Sequence, residues 1–336
     1  MTRAPIPIWL DCDPGTDDAF AILLLAFHPQ FNLIGISTVH GNAPLNATTH
    51  NTVGLLDVLK LNHIPVYAGE VRPLVKEPFF GLYAHGKTGL GGAELPENPS
   101  VVVKNDKSYM EAIKEAVETH ANEICVIATG TFTNMSNLFA KYPDLKHKIK
   151  YLPIMGAGFG VGNVTPYAEF NVYVDPKAAN NLFHDEDLMD KLIVNGLNIT
   201  HTAIADETIR QKLFGKPHKN LVRPMFESIM MFYFKQLYSE NGWAGPPLHD
   251  PLAVFTLLPV LYGAQAYKFE WFRRRVTAVE GGENDGETVF VDGSKFEDDG
   301  SEEHGSIIAK SVDIDMFYEY VGVALDNAEE HVQKRS

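Results

Sequence analysis

Cysteine is nearly missing from this chain: its 336 residues carry two, Cys12 and Cys125. That excludes a disulfide-framed fold. Both lie inside apolar, strand-like runs and read as buried free thiols in a reducing compartment. The cytoplasm is the expected location, with the nucleus as the alternative. Long apolar runs are missing too. The longest, residues 19–27, is far short of the ~20 residues a membrane span needs. The N-terminus holds one Arg before an acidic cluster, so no secretion signal is expected. Positive charge is scarce: 28 Lys and Arg stand against 43 Asp and Glu, a net charge of −15. An acidic chain is ill suited to nucleic acid or to an anionic membrane, but it leaves a small neutral ligand open. Internal repeats, low-complexity linkers and composition breaks are also absent. One domain over 1–336 is therefore expected, with a hydrophobic content of 45% that is ample for a large core.

What the chain does contain is periodicity. Strand-like runs at 6–12, 31–39, 64–69, 123–129 and 148–155 alternate with helix-like runs at 17–27, 46–60, 108–120 and 133–140. This alternation predicts an α/β fold with an open, mostly parallel sheet flanked by helices. A loop rich in Gly and Pro is expected over 70–107. The second half is more helical, at 176–183, 202–214, 223–239, 250–261 and 315–331. Strands return at 271–279, 287–292 and 306–313, which makes the edge of the sheet mixed. The acidic, Gly-rich stretch 280–304 reads as a solvated hairpin or loop.

The stretch DCDPGTDDAF places Asp11, Asp13, Asp17 and Asp18 between a buried strand and a buried helix. In open α/β sheets, ligands bind beyond the carboxyl ends of strands, where this stretch falls. One aspartate at a helix N-terminus is ordinary and contributes about 0.3–1 kcal/mol. Several are not: two carboxylates ~4 Å apart repel by about 4 kcal/mol at an effective dielectric near 20. Either a carboxyl holds a proton or a cation sits among them, and an all-oxygen donor set suits a hard divalent ion. An EF-hand register fails, because its turn glycine would fall at Thr16 and its last ligand at Ile22. The aspartate stretch itself carries no Gly-Lys-Ser/Thr, so a phosphate-binding loop of that kind does not account for it. The D-x-D-G-T motif of haloacid dehalogenase-type phosphatases is one residue shorter than D-C-D-P-G-T.

Other polar clusters fall at strand ends or helix starts: STVHGNAP with Asn42, IATGTFTN with Thr129, GNVTPYAEFN with Asn163, Glu169 and Asn171, and GPPLHDP with His249 and Asp250. Their common placement points to one shared site.

Together these residues resemble the inosine–uridine nucleoside hydrolases. DCDPGTDDA is similar to that family's D-x-D-P-G-x-D-D-A signature, and HGN, ATGTFTN, MGAGF, GNVTPYAEFN, LNITH and LHDP are similar to later landmarks in the same order. STVHGNAP, GPPLHDP and EHGSIIAKSVDIDMF are most similar to the fungal uridine ribohydrolase branch. The resemblance implies hydrolysis of the N-glycosidic bond of ribonucleosides, uridine first, through a Ca²⁺-bound water that Asp13 deprotonates. Asp13, Asp18, Asp250 and the Thr129 carbonyl would be calcium ligands. Asp11, Asp17, Asn42, Asn163, Glu169 and Asn171 would serve the ribose. His249 would help the nucleobase depart, with Tyr238 and Phe234 beside it and His85 closing over the sugar. Loops near 79–92 and the 226–245 segment are candidate lids. A homo-oligomer, dimer or tetramer, is implied as well. Thr131 and Asn198 depart from the family pattern at positions without an assigned role. The alternatives are a purine-preferring or nonspecific hydrolase, a Mg²⁺-dependent phosphatase with Asp11 as nucleophile, and a non-catalytic nucleoside-binding protein.

Overall fold

The computed structural model describes residues 4–298 and 300–335. Residues 1–3, Asp299 in the acidic stretch, and Ser336 lie outside the described residues.

The described residues form ten strands: β1 Ile6–Cys12, β2 Phe31–Thr38, β3 Val66–Ala68, β4 Cys125–Ala128, β5 Leu152–Met155, β6 Leu192–Asn195, β7 Glu270–Arg274, β8 Val276–Ala278, β9 Thr288–Phe290 and β10 Ser306–Ser311. Eight make one sheet in the order β3-β2-β1-β4-β5-β6-β10-β7. Every neighbouring pair is parallel except β7 against β10, so the sheet is mostly parallel with one mixed edge. The order reverses between β1 and β4. A crevice opens there at the strands' carboxyl ends, because the connections leave in opposite directions.

Alternation along β1 divides the core. Ile6, Ile8, Leu10 and Cys12 pack on one face with the helices Asp18–Phe27, His249–Tyr262 and Ile314–Gln333. Trp9 points to the other face, against Tyr109–Thr119, Thr133–Lys141 and Pro176–Phe183. The helix Asp18–Phe27 is apolar nearly all round because it is covered on all sides. Both cysteines are free and buried. Cys125 pairs with Ile8, four residues from Cys12 along β1. At about 3.3 Å per residue that separation is too great for a disulfide.

Three segments differ from the sequence expectation. β6 was not anticipated: LIVN is four residues long and buried on both faces between β5 and β10, so it shows no alternation. The run 271–279 splits at Arg275, where β7 has paired with β10 and β8 turns to pair with β9. The helix expected over 202–214 starts at Glu207, capped by Asp206, whose Oδ1 accepts from the Ile209 N–H at 2.9 Å. Residues 203–205 instead run beside 246–248, with Leu248 N–H to Ala203 O at 3.0 Å and Ala205 N–H to Pro246 O at 2.9 Å.

The helix Val222–Leu237 is anchored by Arg223, which is fully buried and pairs with Glu329 at 2.8 Å and with Asp326. That anchor fixes the roof of the crevice.

Candidate active site

Beyond β1 the chain turns at Pro14-Gly15, and Asp18 ties the turn together. Its Oδ2 accepts from the Gly15 N–H at 2.9 Å and from Asn42 Nδ2 at 3.0 Å, and its Oδ1 from the Thr129 hydroxyl at 2.9 Å. A side chain at Gly15 would meet His85 Nδ1 at 2.5 Å and Asn42 Nδ2 at 2.6 Å, so only glycine permits this approach. Gly41 adopts φ +155°, and a Cβ there would lie 2.0 Å from Asp13 Oδ2. That close approach lets the Asn42 N–H reach Asp13 Oδ2 at 2.7 Å.

Helix capping does not explain the aspartates. Asp17 stands at the N-cap yet makes no side-chain cap hydrogen bond, and the cap of His249–Tyr262 is Leu248, not Asp250. Asp17, Asp18 and Asp250 instead bring one carboxylate oxygen each within 4.8 Å of one another, all buried. Burial, then neighbouring aspartates, raises the carboxyl of Asp13 and Asp250 well above the usual range, and that of Asp17 to about 7. A cluster this acidic, this buried and all-oxygen can coordinate a divalent metal ion. Asp13 stands beside the trio. Its Oδ1 is buried with no hydrogen-bond partner, as is Asp11 Oδ2. Such atoms mark places where water or a cation belongs.

Asp11 lies beneath this floor. Its Oδ1 accepts from Asn134 Nδ2 at 2.7 Å and from the Ser37 hydroxyl, and burial pushes its carboxyl up to about 7.

A narrow cleft, partly open to solvent, opens above the floor. Of the residues singled out in the sequence, Asp17, Asn42, His85, Thr129, Asn163, Glu169, Asn171, His249 and Asp250 line it. One wall is polar. Glu169 caps the short helix Phe170–Val174 and accepts backbone N–H bonds from Asn171 at 2.9 Å and from Val172 and Ala157 at 3.1 Å. Burial nonetheless raises it to about 7. Asn171 Nδ2 donates to the Thr129 carbonyl at 2.9 Å, which leaves that oxygen a second lone pair. Asn163 sits at the rim, its Oδ1 accepting from the Phe170 N–H at 2.9 Å.

The opposite wall is aromatic. His249 Nε2 lies 3.3 Å from the Tyr238 hydroxyl, and Tyr238 is 3.4 Å from the Tyr233 hydroxyl. Tyr233 stacks on His85 at 5.4 Å. The Thr16 N–H donates to His85 Nδ1 at 3.1 Å, so that nitrogen is unprotonated, and burial lowers the ring to about 3. His249 is lowered well below the ordinary histidine value, first by burial, then by His201 and His85.

Phe234 is not brought to the cleft. Its ring faces the Arg210 guanidinium at 5.5 Å. The aromatic on that helix that does line the site is its neighbour Tyr233. The sequence missed it because MMFYFKQLY is aromatic on every face and marks no preferred side. Tyr83 and Phe170 were missed as well, on segments whose short helices, Leu82–His85 and Phe170–Val174, read as loop.

Comparison with known proteins agrees with this geometry. Residues 8–319 match the family described as inosine-uridine preferring nucleoside hydrolase. The chain is 40% identical over 337 residues to the uridine nucleosidase of Saccharomyces cerevisiae, covering 98% of each. It is 35% identical over 257 residues to the pyrimidine-specific ribonucleoside hydrolase RihA of Escherichia coli, covering 75% of this chain and 79% of that one. A solved plant nucleoside hydrolase superposes with a TM-score of 0.80 at 26% identity, covering 96% of this chain and 99% of that one.

Proposed function

Because the chain belongs to the inosine-uridine preferring nucleoside hydrolase family, we propose that uridine is its preferred substrate and Ca²⁺ its metal. The chain is a hydrolase of the ribonucleoside N-glycosidic bond, releasing nucleobase and ribose. The observation that carries the reading is the pairing of a buried carboxylate floor with a histidine–tyrosine wall across one cleft. The pyrimidine preference draws on the likeness to a uridine nucleosidase and to a pyrimidine-specific hydrolase.

Asp13, Asp18, Asp250 and the Thr129 carbonyl would hold the ion, with Asp17 reaching from the same cluster to the ribose. When bound, Ca²⁺ supplies charge that acidifies a water and draws in sugar hydroxyls. Asp13, with Oδ1 unpartnered, takes a proton from water. The water oxygen bonds to C1′ while the C1′–N bond breaks, and its electron pair leaves with the nucleobase. The ribosyl group passes through an oxocarbenium-like state. The carboxylates of Asp17 and Glu169 face that positive charge, and Asn42, Asn163 and Asn171 orient the hydroxyls. Asp11 supports this floor from below, and His85 closes the sugar side under Tyr233. The ring N–H of neutral His249 would donate a hydrogen bond to the departing base, which leaves as its anion and takes its proton from solvent.

The test is release of free ribose from uridine, cytidine and inosine, and of phosphate from ribose 5-phosphate, before and after chelation. Ribose formed fastest from uridine, lost on chelation and restored by Ca²⁺, is expected. A faster rate with inosine would replace uridine by a purine nucleoside. Phosphate release with Mg²⁺ and no ribose would overturn the reading.

A further inference from the structure

His249 is held at both ring nitrogens, and the two contacts are unequal. On the cleft side, Nε2 is 3.3 Å from the Tyr238 hydroxyl. On the far side, Nδ1 is 2.8 Å from the Thr200 hydroxyl. The first is long for a hydrogen bond and the second is well formed. Thr200 is fully buried at the end of the short helix Leu197–Thr200, which follows β6. The strip after it, 203–205, is clipped to 246–248 by two backbone hydrogen bonds. A Cβ on Gly245 would lie 1.9 Å from the Ala205 carbonyl, which keeps these segments close. The scaffold therefore fixes Thr200 against His249 independently of any ligand.

A buried hydroxyl must place its hydrogen. Among the described residues, the Thr200 hydroxyl has one hydrogen-bond partner, His249 Nδ1. The geometry points to Thr200 as a positioning residue that donates to Nδ1 and so keeps the proton of neutral His249 on Nε2, the nitrogen facing the cleft. A neutral imidazole has one N–H and one bare nitrogen, and the partner of one decides the state of the other. With the reverse arrangement Nε2 would accept, and the ring would have no N–H to donate in a hydrogen bond to a leaving nucleobase. The long Nε2 contact leaves that N–H free to be taken up by a ligand while the short Nδ1 contact holds the ring in place. This inference rests on the leaving-group role of His249 proposed above.

The test compares Thr200→Val, which keeps the shape and removes the hydroxyl, with Thr200→Ser, which restores it. With Ca²⁺ present, Thr200→Val is expected to lower kcat on uridine by at least about tenfold, part of the roughly 10²–10³ that a positioned hydrogen-bond donor to developing negative charge supplies. KM should change little, Thr200→Ser should recover most of the rate, and 4-nitrophenyl riboside, whose leaving group needs no proton, should be hydrolysed at nearly the unmodified rate. An equal loss on both substrates, or no loss on uridine, would overturn the assignment. A second readout is independent of turnover. Long-range ¹H–¹⁵N correlation of the His249 ring, identified by its disappearance in His249→Ala, should show the proton on Nε2 in the unmodified enzyme and a shift toward Nδ1 in Thr200→Val. A proton on Nδ1 in the unmodified enzyme, or a tautomer indifferent to Thr200→Val, would also overturn it. Should uridine not be hydrolysed at all, the functional reading falls while the ring assignment is still decided by the spectrum.

Discussion

The two walls of the cleft are built on different principles. The carboxylate floor draws Asp13, Asp17 and Asp18 from one short stretch and Asp250 from far along the chain, and short bonds tie it to backbone: Asp18 to Gly15 N–H at 2.9 Å, Asp13 to Asn42 N–H at 2.7 Å. The aromatic wall is His85, Tyr233 and His249, backed by Tyr238 and Thr200, on four separate segments, and its contacts with the tyrosine hydroxyls reach 3.3–3.4 Å. The floor must hold charge in place against repulsion, so every carboxylate sits on rigid backbone. The wall must adapt to a nucleobase and donate a hydrogen bond to it, so its cleft-side contacts are loose and its rear anchor, Thr200 to His249 at 2.8 Å, is tight.

Replacing the floor should have the largest effect. Asp13→Ala is expected to abolish ribose release, a loss of at least the roughly 10²–10⁴ assigned to a positioned base, with circular dichroism unchanged. Near-normal turnover in that variant would remove Asp13 from the chemistry. Replacing the wall should be selective: His249→Ala should slow uridine by about 10²-fold and spare 4-nitrophenyl riboside. Equal loss on both would show that the wall positions substrate and donates nothing.

Stability should separate the halves as well. Burial holds Asp11, Asp17 and Glu169 at about 7 in the folded protein, above the ~4 of an unfolded carboxyl. The folded state then binds more protons between those values. The stability these groups contribute is complete below about pH 4 and is lost as pH rises through about 7. The melting temperature of chelated protein should fall between about pH 5 and 8, and Ca²⁺ should restore it most at the upper end. A flat profile without metal would mean that the floor is not strained by its charge. The smallest contrast lies within one helix. Tyr233→Ala should raise KM for nucleosides severalfold, whereas Phe234→Ala, whose ring faces Arg210, should leave kinetics nearly unchanged; the reverse result would place the wrong ring in the cleft.

Much of this molecule was legible before its coordinates. Strand–helix alternation announces a parallel sheet because each period maps onto one kind of buried surface, and the helix Pro176–Phe183 has the expected bounds because proline opens it. The aspartate cluster announces a cation because no amount of capping offsets that much repulsion. LIVN at β6 was silent, since a strand covered on both faces shows no alternation. Residues 203–205 read as helix in the sequence because only their partner, 246–248, makes them extended. The pairing of Thr200 with His249 spans 49 positions, and the choice of Tyr233 over Phe234 depends on how Arg223 and Glu329 seat their helix. Local residue chemistry decided which elements form and where charge gathers. Which side chain faces the cleft was decided by packing between segments far apart in sequence, because a helix turns a different residue inward for every small rotation and only its neighbours fix that rotation.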